Sequence, residues 1–126
     1  MLNYSDVNIV LDNQALNRIC QEKLEIPDAN YSDLNELIAH YFSSITASMR
    51  FGGTINQSLN RIHIDMLSYP RVHFLMGTIA PITTAEKAPL LNMPITEMVD
   101  AAFSSSSCLS SIDTRIDRCL STNIIF

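Results

Sequence analysis

The chain has 126 residues, of which 47% are hydrophobic and 17% charged, and its formal net charge is −5 at pH 7. This length fits one domain with a buried core. The acidic balance argues against a nucleic acid or an anionic membrane as the partner, and the longest apolar runs are too short to span a membrane.

The chain begins with a predicted strand and a predicted helix. Residues 7–11, VNIVL, are apolar and β-branched, which is typical of a buried strand. Asp12 or Asn13 is positioned to cap the helix that follows. The apolar residues of this helix fall on one face: Ala15, Leu16, Ile19, Cys20 and Leu24.

A long amphipathic helix gives the clearest periodicity in the sequence. We expect Ser32 to cap it and Gly52 and Gly53 to end it. Its apolar residues recur at steps of three and four, as expected for a helix with a broad buried side: Leu34, Leu37, Ile38, Tyr41, Phe42, Ile45 and Met49.

The second half of the chain predicts shorter elements. We expect a helix over residues 56–67, a strand over 71–79 and a loop over 82–93. A short helix is predicted from Pro94 to Phe103, with Ile95, Met98, Val99 and Ala102 directed inward. The serine-rich residues that follow are predicted to be mobile, and a last strand is predicted over 124–126.

The histidines and cysteines do not indicate a metal or redox site. His40, His63 and His73 fall on separate predicted elements, and His73 is interpreted as a structural core residue. Cys20 is expected to pack in the core, whereas Cys108 is expected to be exposed. Three cysteines without CxxC spacing favour a reducing compartment over a disulfide framework.

Several short segments together resemble the tubulin family, in the same order and with matching spacing. They are LDNQAL, NYSDLNELI, SSITASMRF, YPRVHF and APITTAEKA. The resemblance runs from Asp6 to Phe126 and weakens after Phe103. SSITASMRF and AEKA resemble α-tubulin, whereas VLDNQALNRI, HFLM and PITT resemble γ-tubulin, so the interpretation is a divergent α-like or minor tubulin.

The resemblance implies an α/β fold that covers the middle of a tubulin, since tubulins are more than three times as long. Residues 1–50 would be the end of the Rossmann-type, GTP-binding domain together with the long central helix. Residues 51–126 would contain an inter-subunit loop and the start of the intermediate domain. The phosphate-binding loop GGGTGSG that marks the family does not occur in these 126 residues.

The resemblance also implies part of a GTP site, with Asn13, Tyr31 and Asn35 matching guanine contacts of the family. An amide offers the donor and the acceptor that the guanine edge requires, and the tyrosine ring would stack on the base. On the residues alone, the preferred interpretation is that both asparagines are helix caps and Tyr31 a hydrophobic staple; it is the resemblance that favours the guanine site.

No catalytic residue is predicted. In α-tubulin the helix after the Gly-Gly turn carries a glutamate that helps to activate water, and Arg61 stands at the matching position. A guanidinium does not act as a base. A nearby family aspartate is replaced by Ser58, while Asn56 is retained. Arg61 is interpreted either as an interface residue or as an ordinary exposed charge.

The sequence APITTAEKAPLLN matches the lateral-contact loop of the family and keeps Ala85, Glu86, Lys87 and Ala88. It departs at residues 89–91, where α-tubulin has an aromatic residue and a histidine. Because aromatic anchors often dominate interfaces, the departure at these positions argues against ordinary lateral pairing, and an ordinary surface loop is the alternative interpretation. The implied partners are other tubulin subunits, with microtubule-associated proteins as further candidates.

The leading hypothesis is a cytoskeletal structural protein of the cytoplasm, either a tubulin fragment or a short minor tubulin. One alternative is a GTPase subunit whose phosphate-binding part lies outside this sequence. Another is a small module that binds tubulin through a tubulin-like surface.

Overall fold

The computed structural model describes residues 3–52, 58–67, 69, 71–113, 116 and 119–125, apart from the side chains of Ser48 and Leu59. The strands are β1 (Asn8–Val10) and β2 (Phe74–Met76). The helices are α1 (Asn13–Lys23), α2 (Tyr31–Arg50), α3 (Leu59–Met66) and α4 (Ile95–Phe103). Two 3-10 turns cover Ala88–Leu90 and Ser105–Ser107.

The two strands form a parallel pair, with Ile9 opposite Leu75 at its centre. Parallel strands need a long crossover connection, and α1, α2 and α3 lie within it. Both strands are shorter than predicted. The strand expected over 124–126 is not formed at Ile124 and Ile125, and Phe126 lies outside the described residues.

The core lies between α1 and α2. The inward face predicted for α1 is confirmed, since Ala15, Leu16, Ile19 and Cys20 are buried and Leu24 is half-buried. A single cluster joins residues of α1, α2 and the chain after α4: Leu16, Ile19, Cys20, Leu34, Leu37 and Leu109. Burial of the α1 face against α2 is therefore the main apolar stabilisation of this region.

The ends of α2 differ from the predicted ends. The N-cap is Asn30 rather than Ser32, and the backbone N–H of Asn30 donates to the Asp33 carboxylate at 2.9 Å. This bond satisfies a donor at the helix entrance and moves the start to Tyr31. The helix ends at Arg50 with Phe51 as an extended C-cap, before Gly52. Gly53 lies outside the described residues.

The prediction for the serine-rich residues was wrong. Cys108, predicted to be exposed, is fully buried, as is Leu109. The backbone N–H of Leu109 donates to the Gly77 carbonyl at 2.9 Å, and Cys108 forms an antiparallel bridge with Thr78. This segment is ordered because it adds backbone bonds to the chain after β2 and one leucine to the core.

The burial predicted for side chains on α4 and next to β2 is confirmed only in part. Ile95, predicted to face inward, is 68% exposed, whereas Met98, Val99 and Ala102 are half-buried. His73 is buried and its ring stacks on Phe74 with centroids 4.9 Å apart, which confirms it as a core residue.

The described part of the chain shows neither a metal-binding cluster nor a membrane-spanning helix. It contains no group of three or more histidine, cysteine, aspartate or glutamate residues placed to hold a metal ion. No helix among these residues is long and apolar enough to cross a membrane.

Candidate functional site

Asn13 is the first residue of α1 and lies just after β1. Its side chain is exposed, whereas Ala15 and Leu16 in the same helical turn are buried. The polar amide therefore lies on the open side of a turn whose other side is fixed in the core.

Asp12 holds the start of α1 through four hydrogen bonds. Its carboxylate accepts from the backbone N–H of Gln14 at 3.0 Å and from the hydroxyl of Ser111. Its backbone N–H donates to the Leu109 carbonyl at 2.9 Å, and its carbonyl accepts from Leu16 at 3.0 Å. The residue before Asn13 is therefore fixed on both its main chain and its side chain.

Hydrogen bonding also stabilises the charged form of Asp12. The Ser111 hydroxyl makes the largest contribution to lowering the pKa of the Asp12 carboxyl, followed by the Gln14 N–H and the charge of Arg18, while desolvation acts in the opposite direction. A carboxylate at a helix N-terminus also interacts favourably with the helix dipole. Asp12 is thus a charged N-cap at neutral pH.

Tyr31 and Asn35 lie at the entrance of α2. Tyr31 is the first residue of the helix and is 78% exposed, and Asn35 is exposed one turn later. Residues four apart in a helix share a face. The tyrosine ring and the amide are therefore neighbours on one side of α2, and both are accessible.

The three predicted guanine contacts belong to one packed pair of helices. Leu16 lies one turn after Asn13, and Leu34 immediately precedes Asn35. Both leucines belong to the same buried cluster. The core thus links the helix that carries Asn13 to the helix that carries Tyr31 and Asn35.

Arg61 lies in the first turn of α3 and is exposed. Its Nε donates to the Asp65 carboxylate at 3.0 Å, with 67% of the arginine side chain accessible. Ser58 is the N-cap of this helix, and its hydroxyl accepts from the Arg61 backbone N–H at 3.3 Å. Ser58 therefore has a local structural role. Asn56 lies outside the described residues.

The loop that carries Glu86 and Lys87 is tied to the end of α1. Lys87 forms an ion pair with Glu25, and more than half of each side chain is exposed. Glu25 adopts a positive φ of 59°. Leu90 at the end of the following 3-10 turn is 84% exposed, so an apolar side chain occupies the outer part of this loop.

The sequence did not reveal the role of Ser111. Asp12 was identified only as one of two possible caps, and Ser111 lies 99 residues away within a low-complexity run. No local pattern indicates a bond over such a separation. The only available signal was the acidic residue beside Asn13.

Comparison with known proteins shows the class of protein that this chain resembles. Residues 70–126 match the model of the tubulin C-terminal domain. The chain is also 36% identical over 126 residues to the tubulin alpha chain of the nucleomorph of Guillardia theta, which covers all of this chain and 28% of that protein. The chain therefore spans little more than a quarter of the length of this curated relative.

Together, the domain match and the identity over the whole chain establish the family. The chain belongs to the tubulin family.

Proposed function

We propose that this chain is the part of a tubulin-type cytoskeletal subunit that supplies guanine-base contacts and filament-interface loops. The observation that carries the proposal is family similarity over all 126 residues. The accessible side chains of Asn13, Tyr31 and Asn35 support the nucleotide part of it.

Each of these side chains has chemistry suited to guanine. The amides of Asn13 and Asn35 offer both a donor and an acceptor to the base edge. The exposed ring of Tyr31 offers a stacking face, and base stacking on an aromatic ring is worth ~1–3 kcal/mol in nucleic-acid sites. GTP is therefore the proposed ligand. Phosphate contacts and the rest of the site would come from residues beyond these 126.

We propose assembly rather than catalysis as the role of this region. Arg61 already pairs with Asp65, and a guanidinium has no acceptor with which to take a proton from water. Residues 1–50 would complete the nucleotide domain, and residues 51–126 would present contacts to neighbouring subunits. The proposed partners are other tubulin subunits, with microtubule-associated proteins as further candidates, in the cytoplasm.

The test is nucleotide binding by the complete polypeptide that contains these residues. We expect Asn13→Ala, Tyr31→Ala and Asn35→Ala each to weaken binding of a fluorescent GTP analogue by roughly five- to fiftyfold, the range for a lost hydrogen bond or stacking contact. Matched controls are Asn60→Ala, an exposed asparagine on α3, and Tyr4→Ala, a tyrosine that is 97% exposed. Equal binding by the site variants and the controls would contradict the proposed site.

A further inference from the structure

The first two turns of α1 are held from one side by residues 105–111, called here the serine segment. The Ser111 hydroxyl donates to the Asp12 carboxylate, and Nη2 of Arg18 donates to the Ser105 carbonyl at 2.9 Å. The Leu109 carbonyl accepts from the backbone N–H of Asp12 at 2.9 Å. These three bonds span the length of the segment and fix both the start and the second turn of the helix.

The serine segment is itself a rigid support. Leu109 N–H donates to the Gly77 carbonyl at 2.9 Å, and Ile79 N–H donates to the Ser107 carbonyl at 3.3 Å. Ser107 and Ser110 are buried. A segment with buried side chains and paired backbone groups does not adapt readily to a displaced helix end.

We infer that Ser111, acting through Asp12, is a positioning residue for Asn13 and sets the preference of the site for guanine over hypoxanthine. The inference rests on the proposed role of Asn13 as a base contact. The Asn13 amide oxygen would accept from the exocyclic amino group of guanine, which hypoxanthine lacks.

The geometry explains why a single distant hydroxyl has this effect. Asn13 immediately follows Asp12, and the Asp12 carboxylate has one bond to the helix and one to Ser111. Without the second bond, only the Gln14 N–H holds the Asp12 carboxylate, so the side chain of the cap is less restrained. A hydrogen bond weakens steeply as its distance and angle depart from the optimum. Displacing the start of α1 therefore weakens the contact with the amino group of guanine selectively.

The experiment compares GTP and ITP affinities of the complete polypeptide for Ser111→Ala, Ser111→Thr, Asn13→Ala and the Ser111→Ala/Asn13→Ala double variant. We expect Ser111→Ala to lower the GTP-to-ITP preference by roughly three- to tenfold, as for one misaligned hydrogen bond. Ser111→Thr keeps the hydroxyl and should retain the preference. On the Asn13→Ala background, Ser111→Ala should cause no further loss.

A second measurement needs no nucleotide. Hydrogen exchange of the Gln14 amide should accelerate in Ser111→Ala, because the carboxylate that accepts from this amide is less well fixed. Ser121→Ala is the matched control, since it removes a hydroxyl that donates to the Asp65 carbonyl on α3. It should leave Gln14 exchange unchanged.

The outcomes separate this inference from the proposed function. An unchanged preference in Asn13→Ala, or no GTP binding by the complete polypeptide, would contradict the guanine site. If Asn13→Ala lowers the GTP-to-ITP preference and Ser111→Ala does not, the proposed guanine site is retained and the positioning role of Ser111 is overturned. Equal weakening of GTP and ITP by Ser111→Ala, or unchanged Gln14 exchange, would also overturn it.

Discussion

The ring of Tyr41 occupies the space that a side chain on Gly77 would need. A Cβ at position 77 would stand 2.6 Å from Cζ and 3.0 Å from Cε2 of Tyr41. Tyr41 packs against the buried cluster, and desolvation raises the pKa of its hydroxyl, with a smaller contribution from Cys108. Close approach of α2 to the chain after β2 therefore requires glycine here.

We expect Gly77→Ala to destabilise the protein by ~1–3 kcal/mol, the usual range for overpacking a well-packed region. Gly52→Ala is the matched control, because a Cβ there would meet nothing within 4 Å. Denaturant unfolding of the complete polypeptide measures both. The Gly77→Ala loss should shrink on a Tyr41→Ala background, and an equal loss there would mean that the ring is not the obstacle.

Thiol labelling tests the burial of the serine segment. Cys119 is exposed, whereas Cys20 and Cys108 are buried. Burial raises the pKa of the Cys20 thiol, which further reduces the reactive thiolate. We expect a thiol reagent to label Cys119 rapidly in the native protein and the other two only after unfolding. Cys119→Ser should remove the rapid phase, and rapid labelling of Cys108 would contradict the packed segment.

We expect acid to destabilise the start of α1, because the Asp12 carboxylate becomes protonated. The pKa of Asp12 is lower in the folded protein than its ordinary value, which is about 3.9 in the unfolded chain. Its contribution to the free energy of unfolding is therefore fully present above about pH 3.9 and is lost as the pH falls through the lower folded pKa. Asp12→Asn removes this titration.

The measurement is the free energy of unfolding at about pH 6 and again about one unit below the ordinary aspartate pKa. Asp12→Asn should lose less stability between these pH values than the unsubstituted protein does. Asp100→Asn, at an exposed position on α4, removes one carboxylate elsewhere and is the control. The same acid sensitivity in Asp12→Asn and the unsubstituted protein would contradict a charged cap at Asp12.

The variant Arg61→Glu tests whether the junction between two subunits of a filament lacks a general base for GTP hydrolysis. If the complete polypeptide assembles, introducing a carboxylate at this position should raise GTP turnover by roughly 10²–10⁴-fold, the usual contribution of general-base catalysis. Arg61→Gln is the control, because it also removes the pair with Asp65 but supplies no carboxylate. Unchanged turnover in normally assembled Arg61→Glu filaments would show that Arg61 does not lie at the hydrolytic position.

The sequence alone was sufficient to predict the four described helices and to recognise the family, although the ends of α2 and the exposure of Phe42 and Met49 differ from the prediction. Leu16, Ile19 and Cys20 recur at helical spacing, and any packing of α1 must bury that face. The family was recognisable because short segments recur in order along the whole chain. Asn13, Tyr31 and Asn35 are predicted as guanine contacts through that resemblance alone, since an asparagine near a helix start is also typical of a cap.

Only the tertiary structure decided the support of the site. Ser111 meets Asp12 across 99 residues, and nothing in a serine-rich run distinguishes a buried support from a mobile loop. The exact start of α2 also depended on one bond between Asn30 and Asp33, although Ser32 is an equally good cap by residue type. Periodicity reports which face is buried, whereas hydrogen bonds between distant segments depend on how the chain folds back on itself.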